Sequence, residues 1–165
     1  DLVRSRGLGD VYKRQADGVI GMTWRITLSR LPDMRLSDNH KRTQRWSYNA
    51  ALAAVEREAW GWELRAASEG CCKEADRPAA PLSLTWEVRW PDHILRDPDN
   101  VLASLKPATD SCVDVGLIPS DDHRTIRELT IRSLMGRDDA GTTLIISSAV
   151  AGLPIASIGR GGAIT

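Results

Sequence analysis

A chain of 165 residues, 42% of them hydrophobic and six of them Trp, has room for one compact domain with a real core and too little for two. Its 22 basic and 22 acidic side chains cancel, which argues against a nucleic-acid binder that works by overall basicity. No apolar run approaches the roughly 20 residues that span a bilayer, and the first residues lack the order of a secretory signal. Three cysteines, two of them vicinal (Cys71, Cys72), make no disulfide framework, and His40, His93 and His123 have no zinc-ligand spacing. Free thiols in a reducing cytoplasm are expected.

Residues 5–15 read S-R-G-L-G-D-V-Y-K-R-Q and look like the in-frame translation of a transposase-based sequencing adaptor. Residues 1–15 are therefore set aside as a scar. They hold four basic side chains (Arg4, Arg6, Lys13, Arg14) and two acidic ones (Asp1, Asp10), so the remainder is slightly acidic. Nucleic-acid binding then requires locally concentrated basic groups and an acidic site neutralised by metal.

Residues 22–29 alternate, with Trp24, Ile26 and Leu28 on one side and Thr23, Arg25 and Thr27 on the other, a half-buried strand. A loop with Pro32, Asp33, Ser37, Asp38 and Asn39 follows and ends in helix-capping chemistry. Residues 42–67 read as a long helix. Trp46, Ala50, Val55, Ala59, Trp60 and Leu64 fall near helical spacing, and Trp46 and Trp60 are expected to share a core-packing face. Residues 68–81 are a polar connection. Residues 82–90 (L-S-L-T-W-E-V-R-W) alternate most cleanly of all. Pro107 opens a short helix at a position where a missing N–H is harmless, and Gly116 supplies a left-handed cap at its end. Strands are expected at 125–133 and 142–147, and the Gly-rich tail 149–165 is expected to be loose. The order is β-α-β-α-β-β, an α/β (α+β) domain over 16–148 with helices packed on a mixed sheet.

Two acidic loops stand out. In Arg96-Asp97-Pro98-Asp99-Asn100 Pro98 favours an extended Asp97, and side chains two apart in an extended segment point to one side. Adjacent carboxylates repel, and a hard divalent cation such as Mg²⁺ removes that conflict. Asn100 could orient a neighbouring carboxylate. The second loop, Asp121-Asp122, follows the short helix, and a fold-back would set both loops at one end of it. Three or four carboxylates from two loops suit metal-assisted phosphodiester hydrolysis, with Lys106 nearby to stabilise charge on the phosphate. Arg30, Arg35, Lys41, Arg42 and Arg45, with Arg96 beside the first acidic loop, are the candidate DNA-binding groups. Taken alone, each of these features also fits a turn, a cap, a helical Lys106–Asp110 pair or a solvated helix face.

The run R-D-P-D-N…L-K-P-A-T-D…V-D-V-G-L-I-P-S-D-D resembles the motif of the RusA-type Holliday junction resolvases and their phage relatives, with a similar element order over residues 22–148. The resemblance implies Asp97 and Asp99 as metal ligands and Lys106 as the catalytic lysine. Asp121 falls at the essential acidic position by ungapped counting, and Asp122 joins it if the loop carries an insertion. It also implies a homodimer, Mg²⁺ (or Mn²⁺) dependence and paired nicking of four-way DNA. Lys106 follows Asp99 after seven residues rather than four, with Ala103 at the usual place, which leaves its role less secure than those of the aspartates. The alternatives are a module that binds junctions without cutting them, such as a truncated prophage remnant, or an acid-cluster phosphohydrolase acting on nucleotides.

Overall fold

A computed structural model of the chain describes residues 22–149. The adaptor-like residues 1–15 and the Gly-rich tail beyond Ala149 lie outside them. Four strands, β1 (Thr23–Leu28), β2 (Leu82–Trp90), β3 (Ile126–Met135) and β4 (Gly141–Ser148), form one mixed sheet in the order β1-β4-β2-β3. β4 runs antiparallel to both β1 and β2, and β2 runs parallel to β3. The helices are α1 (Asp38–Lys41), α2 (Trp46–Ser68), α3 (Pro98–Ser104) and α4 (Lys106–Asp114). The α+β domain expected from the alternating and helical patterns is present, with two helices more than those patterns indicated. Among the described residues no helix is long and apolar enough to cross a membrane.

Period-two alternation decides the two faces. Trp24, Ile26 and Leu28 of β1, Leu84, Trp86 and Val88 of β2, and Leu144 and Ile146 of β4 are all buried. Their registers, Trp24 with Ile146 and Trp86 with Leu144, put them on one side. Trp60 and Leu64 of α2 and Val101, Leu105, Ala108 and Cys112 of α3 and α4 close over that side. Trp60 meets Trp86 edge to face at 6.1 Å and 69°, the geometry favoured by the aromatic quadrupole.

The buried stripe of α2 is Glu56, Trp60 and Leu64, spaced by four residues. Trp46, expected beside Trp60 in the core, is 84% exposed, and Val55 is 62% exposed. Apolar residues surround this helix, so its spacing alone does not identify the inner face. The short helix opened by Pro107 ends as expected. Gly116 has φ +77°, its N–H reaches the Val113 carbonyl at 3.0 Å, and the Leu117 N–H reaches the Cys112 carbonyl at 2.9 Å. These two bonds satisfy carbonyls that the helix end leaves open, and they turn the chain toward Asp121.

Candidate active site

The D-P-D-N segment is the start of a helix. Asp97 is extended (φ −66°, ψ 127°) as Pro98 requires, but its carboxylate caps α3 by accepting the Asp99 N–H at 3.2 Å, with Pro98 in the first turn. Asp99 lies inside the helix, so the segment is not the extended run that was expected to bring the two carboxylates together. An aspartate before Pro-Asp is good N-cap chemistry, since it satisfies a donor that the first turn leaves free. The Asp99 carboxylate takes part in no hydrogen bond or ion pair among the described residues. Among the described residues Asn100 is hydrogen-bonded to no carboxylate. Its Oδ1 accepts the Asn39 N–H at 3.4 Å and ties α3 to α1.

Lys106, the first residue of α4, lies between two carboxylates. Its ammonium donates to Asp110 one turn on and to Asp121 at 2.6 Å. Partial burial pulls the Lys106 pKa down, but the hydrogen bonds to Asp110 and Asp121 outweigh it and leave it above the ordinary value. The Lys106 hydrogen bond in turn holds Asp121 below the usual carboxylate range. Asp122 has a different job. Its Oδ1 accepts the backbone N–H groups of Arg124 at 2.8 Å and Thr125 at 3.1 Å, closing the turn into β3, and these bonds lower its pKa.

Asp99, Lys106 and Asp121 line one open cleft of about 750 Å³, together with Asp38, Lys41, Thr109 and His123 and an apolar wall of Leu102, Ile126 and Leu129. Asp97 and Asp122 do not line it. Among the described residues no group of three or more His, Cys, Asp or Glu side chains is disposed to hold a metal ion. Of the four aspartates expected to hold a metal, Asp99 and Asp121 line this common cleft.

The candidate DNA-binding residues separate in the same way. Lys41 borders the cleft, 3.5 Å from Asp38. Arg42 and Arg45 are exposed and have no ion pair among the described residues. Arg35 is solvent-facing but chelated by Asp33, with Nη1 3.3 Å from the Tyr48 hydroxyl. Arg30 and Arg96 are structural. Arg30 donates to Glu56 at 2.9 Å and to Glu63 at 3.2 Å, over the Trp60 ring. Arg96 donates to both Asp92 oxygens at 2.7 and 2.9 Å and stacks 3.8 Å from the Trp90 ring centroid. An arginine whose donors are taken internally and whose plane is covered has little left for a phosphate.

Residue spacing gave no sign of His123 or Thr109. His123 directly follows the acidic pair, and that adjacency is the one local signal that could have drawn it in. Thr109 faces the cleft one helical turn beyond Leu105. The chain matches no protein-family model and is similar to none of the curated proteins compared with it.

Proposed function

We propose that this chain is a divalent-metal-dependent endonuclease of the RusA type that nicks branched DNA, with a four-way junction as the substrate. The observation that carries this reading is the shared cleft, where Asp99 from the first acidic loop, Asp121 from the second and Lys106 meet. Two carboxylates do not make an all-protein metal cage. They do match Mg²⁺, which keeps several waters and takes one or two carboxylates together with substrate phosphate. Asp99 and Asp121 would hold the ion, and when bound it would supply Lewis acidity and a more acidic water.

The chain's own groups do the rest. Lys106 holds the Asp121 pKa below the usual carboxylate range and fixes its carboxylate by a hydrogen bond at the cleft. An ammonium has three N–H donors; Asp110 and Asp121 take two, and the third is left for a phosphate oxygen. Lys41 borders the cleft, and with the exposed Arg42 and Arg45 that follow it in the chain it would take the flanking phosphates, which position a duplex without reading its sequence. Symmetric resolution needs two cuts, hence two copies of the site.

The test is a synthetic four-way junction titrated with Mg²⁺ and then Mn²⁺. The native chain should give paired nicks, and Asp99→Asn should bind the junction and leave it intact. Nicking by Asp99→Asn at the native rate would sink the assignment. One observation favours a second reading, binding without cleavage: Asp121 is already paired with Lys106. That reading predicts a shifted junction and no nicked product at any metal concentration.

A further inference from the structure

Beside the cleft lies a second cavity, smaller and of a different character. It holds about 300 Å³, at the lower end of the roughly 300–1,000 Å³ found for small-molecule pockets. Ala53 and Ala54 of α2, Ala103 of α3 and Pro107 of α4 form its walls, with Leu36 from the turn ahead of α1. These side chains are apolar and mostly small, so the chamber suits a compact flat body and is far too small for a duplex. Lys41, Ala103 and Lys106 border both this cavity and the cleft, so the two adjoin at the Lys106 side chain.

The charged groups of the lining are mostly cations. Lys41, Arg57 and Lys106 stand against one carboxylate, Asp110, which Lys106 holds. Their side chains are 38%, 46% and 58% exposed, which sets them at the mouth rather than in the chamber. Each keeps donors in reserve. Arg57 gives Nε and Nη2 to Asp114 at 2.5 and 2.6 Å, while its Nη1 stays 4.0 Å from Asp110, beyond hydrogen-bonding distance. The Lys41 ammonium makes one contact among the described residues, with Asp38 at 3.5 Å, and Lys106 has one N–H to spare. The pairs with Asp38 and Asp114 face solvent, and such pairs are weak. A guanidinium edge and two ammonium groups with free N–H bonds match the oxygens of a phosphate.

We propose that this cavity binds one nucleotide unit, with base and sugar against Ala53, Ala54, Ala103 and Pro107 and the phosphate on Lys41, Arg57 and Lys106. A free mononucleotide and a nucleotide turned out of a DNA strand present the same chemistry. The strand source rests on the nuclease reading: a phosphate held at Lys106 carries its neighbouring nucleotide to the cavity, and a base that is already unpaired costs least to unstack. The free source does not rest on it, because the chamber and its cationic mouth are built without reference to the cleft carboxylates.

The test uses the full chain and amide NMR titrations with thymidine 5′-monophosphate, thymidine and inorganic phosphate. The mononucleotide should shift Ala53, Ala54 and Ala103 and bind about tenfold tighter than either of its parts, since apolar and charged contacts then act together. Ala53→Leu, which fills the chamber with a good helix former, should remove that advantage and leave phosphate binding as it was. Arg57→Gln should weaken the mononucleotide about tenfold through loss of a charge-assisted hydrogen bond and leave thymidine unaffected. The same spectra show whether each variant keeps its fold. No shift at the three alanines overturns the proposal, as does a mononucleotide that binds no tighter than phosphate or one that ignores both variants. A second arm separates the sources, with 2-aminopurine at each branch-point position of a four-way junction and the Asp99→Asn chain. Brightening on binding that Ala53→Leu removes assigns the cavity to the strand, and steady fluorescence with the mononucleotide bound assigns it to free nucleotides. Mononucleotide binding by a chain that nicks no junction leaves the cavity standing and removes the nuclease reading, and nicking by a chain that binds no mononucleotide does the reverse.

Discussion

α2 carries Glu56 and Arg57 side by side, and each belongs to a different cluster of charge. Glu56 joins Glu63 around Arg30, with the Trp60 ring beneath the guanidinium. Arg57 reaches Asp114 at 2.5 Å and Asp110 at 4.0 Å, and Asp110 leads to Lys106 and Asp121. The first cluster is closed: the Arg30 side chain is 23% exposed and that of Glu56 11%. The second is open, with the Lys106 side chain 58% exposed on the rim of the cleft. Similar ion pairs therefore do opposite work. Where water is excluded, the pair fastens the end of β1 to α2. Where water enters, it is a weak contact that a phosphate or a metal can replace.

The largest difference between the two should appear on deleting the cation of the closed cluster. Arg30→Ala strands a buried Glu56 and a half-buried Glu63, and is expected to cost about 2–3 kcal/mol of stability, below the full range for buried pairs because Glu63 keeps contact with water. Urea unfolding measures it, and a loss under about 0.5 kcal/mol would show that the closed cluster is not a fastening. In the open cluster the expectation reverses. Lys106→Met should change stability by less than about 1 kcal/mol, while junction nicking falls about 100-fold through loss of charge stabilisation at the phosphate. A variant that unfolds but cuts normally would erase the distinction between the clusters.

How far these roles can be read from residue order depends on the distance over which each acts. Residues 82–90 declare themselves as a strand because every second side chain is apolar, and Gly116 declares a helix end because few residues accept its conformation. The inner face of α2 stays hidden. Trp46, Val55 and Trp62 are apolar yet exposed, while Glu56 is buried because Arg30, 26 residues away, neutralises it. The same non-local pair makes Arg30 look like a free cation in sequence. Arg96 was legible in principle, since Asp92 lies four residues before it. The helix at Pro98 was missed for a chemical reason: an N-cap and a metal ligand ask for the same residue, and Asp97-Pro98-Asp99 satisfies either description. The residue types of the cleft could be read, but its assembly could not. Lys106 and Asp121 meet across the whole of α4, and Asp38 and Lys41 arrive from α1, more than fifty residues earlier.

Asp121 and Asp122 give the finest test of the open cluster, because adjacent carboxylates are lowered by different causes. Asp121 is held below its ordinary 3.8 first by the Lys106 hydrogen bond, and Asp122 by the backbone N–H groups of Thr125 and Arg124. For both, the depressed folded value means stability that is present above about pH 3.8 and lost as pH falls through the folded pKa. Lys106→Met should therefore return Asp121 toward 3.8 and shrink its share of the acid-sensitive stability, while Asp122 titrates where it did before. Carboxyl-carbon NMR titrations of the native chain and the variant resolve the two. Movement of both would mean that Lys106 supports the whole turn into β3. Movement of neither would mean that the ion pair does not persist in solution, and Asp121 would then face the cleft with no cation beside it.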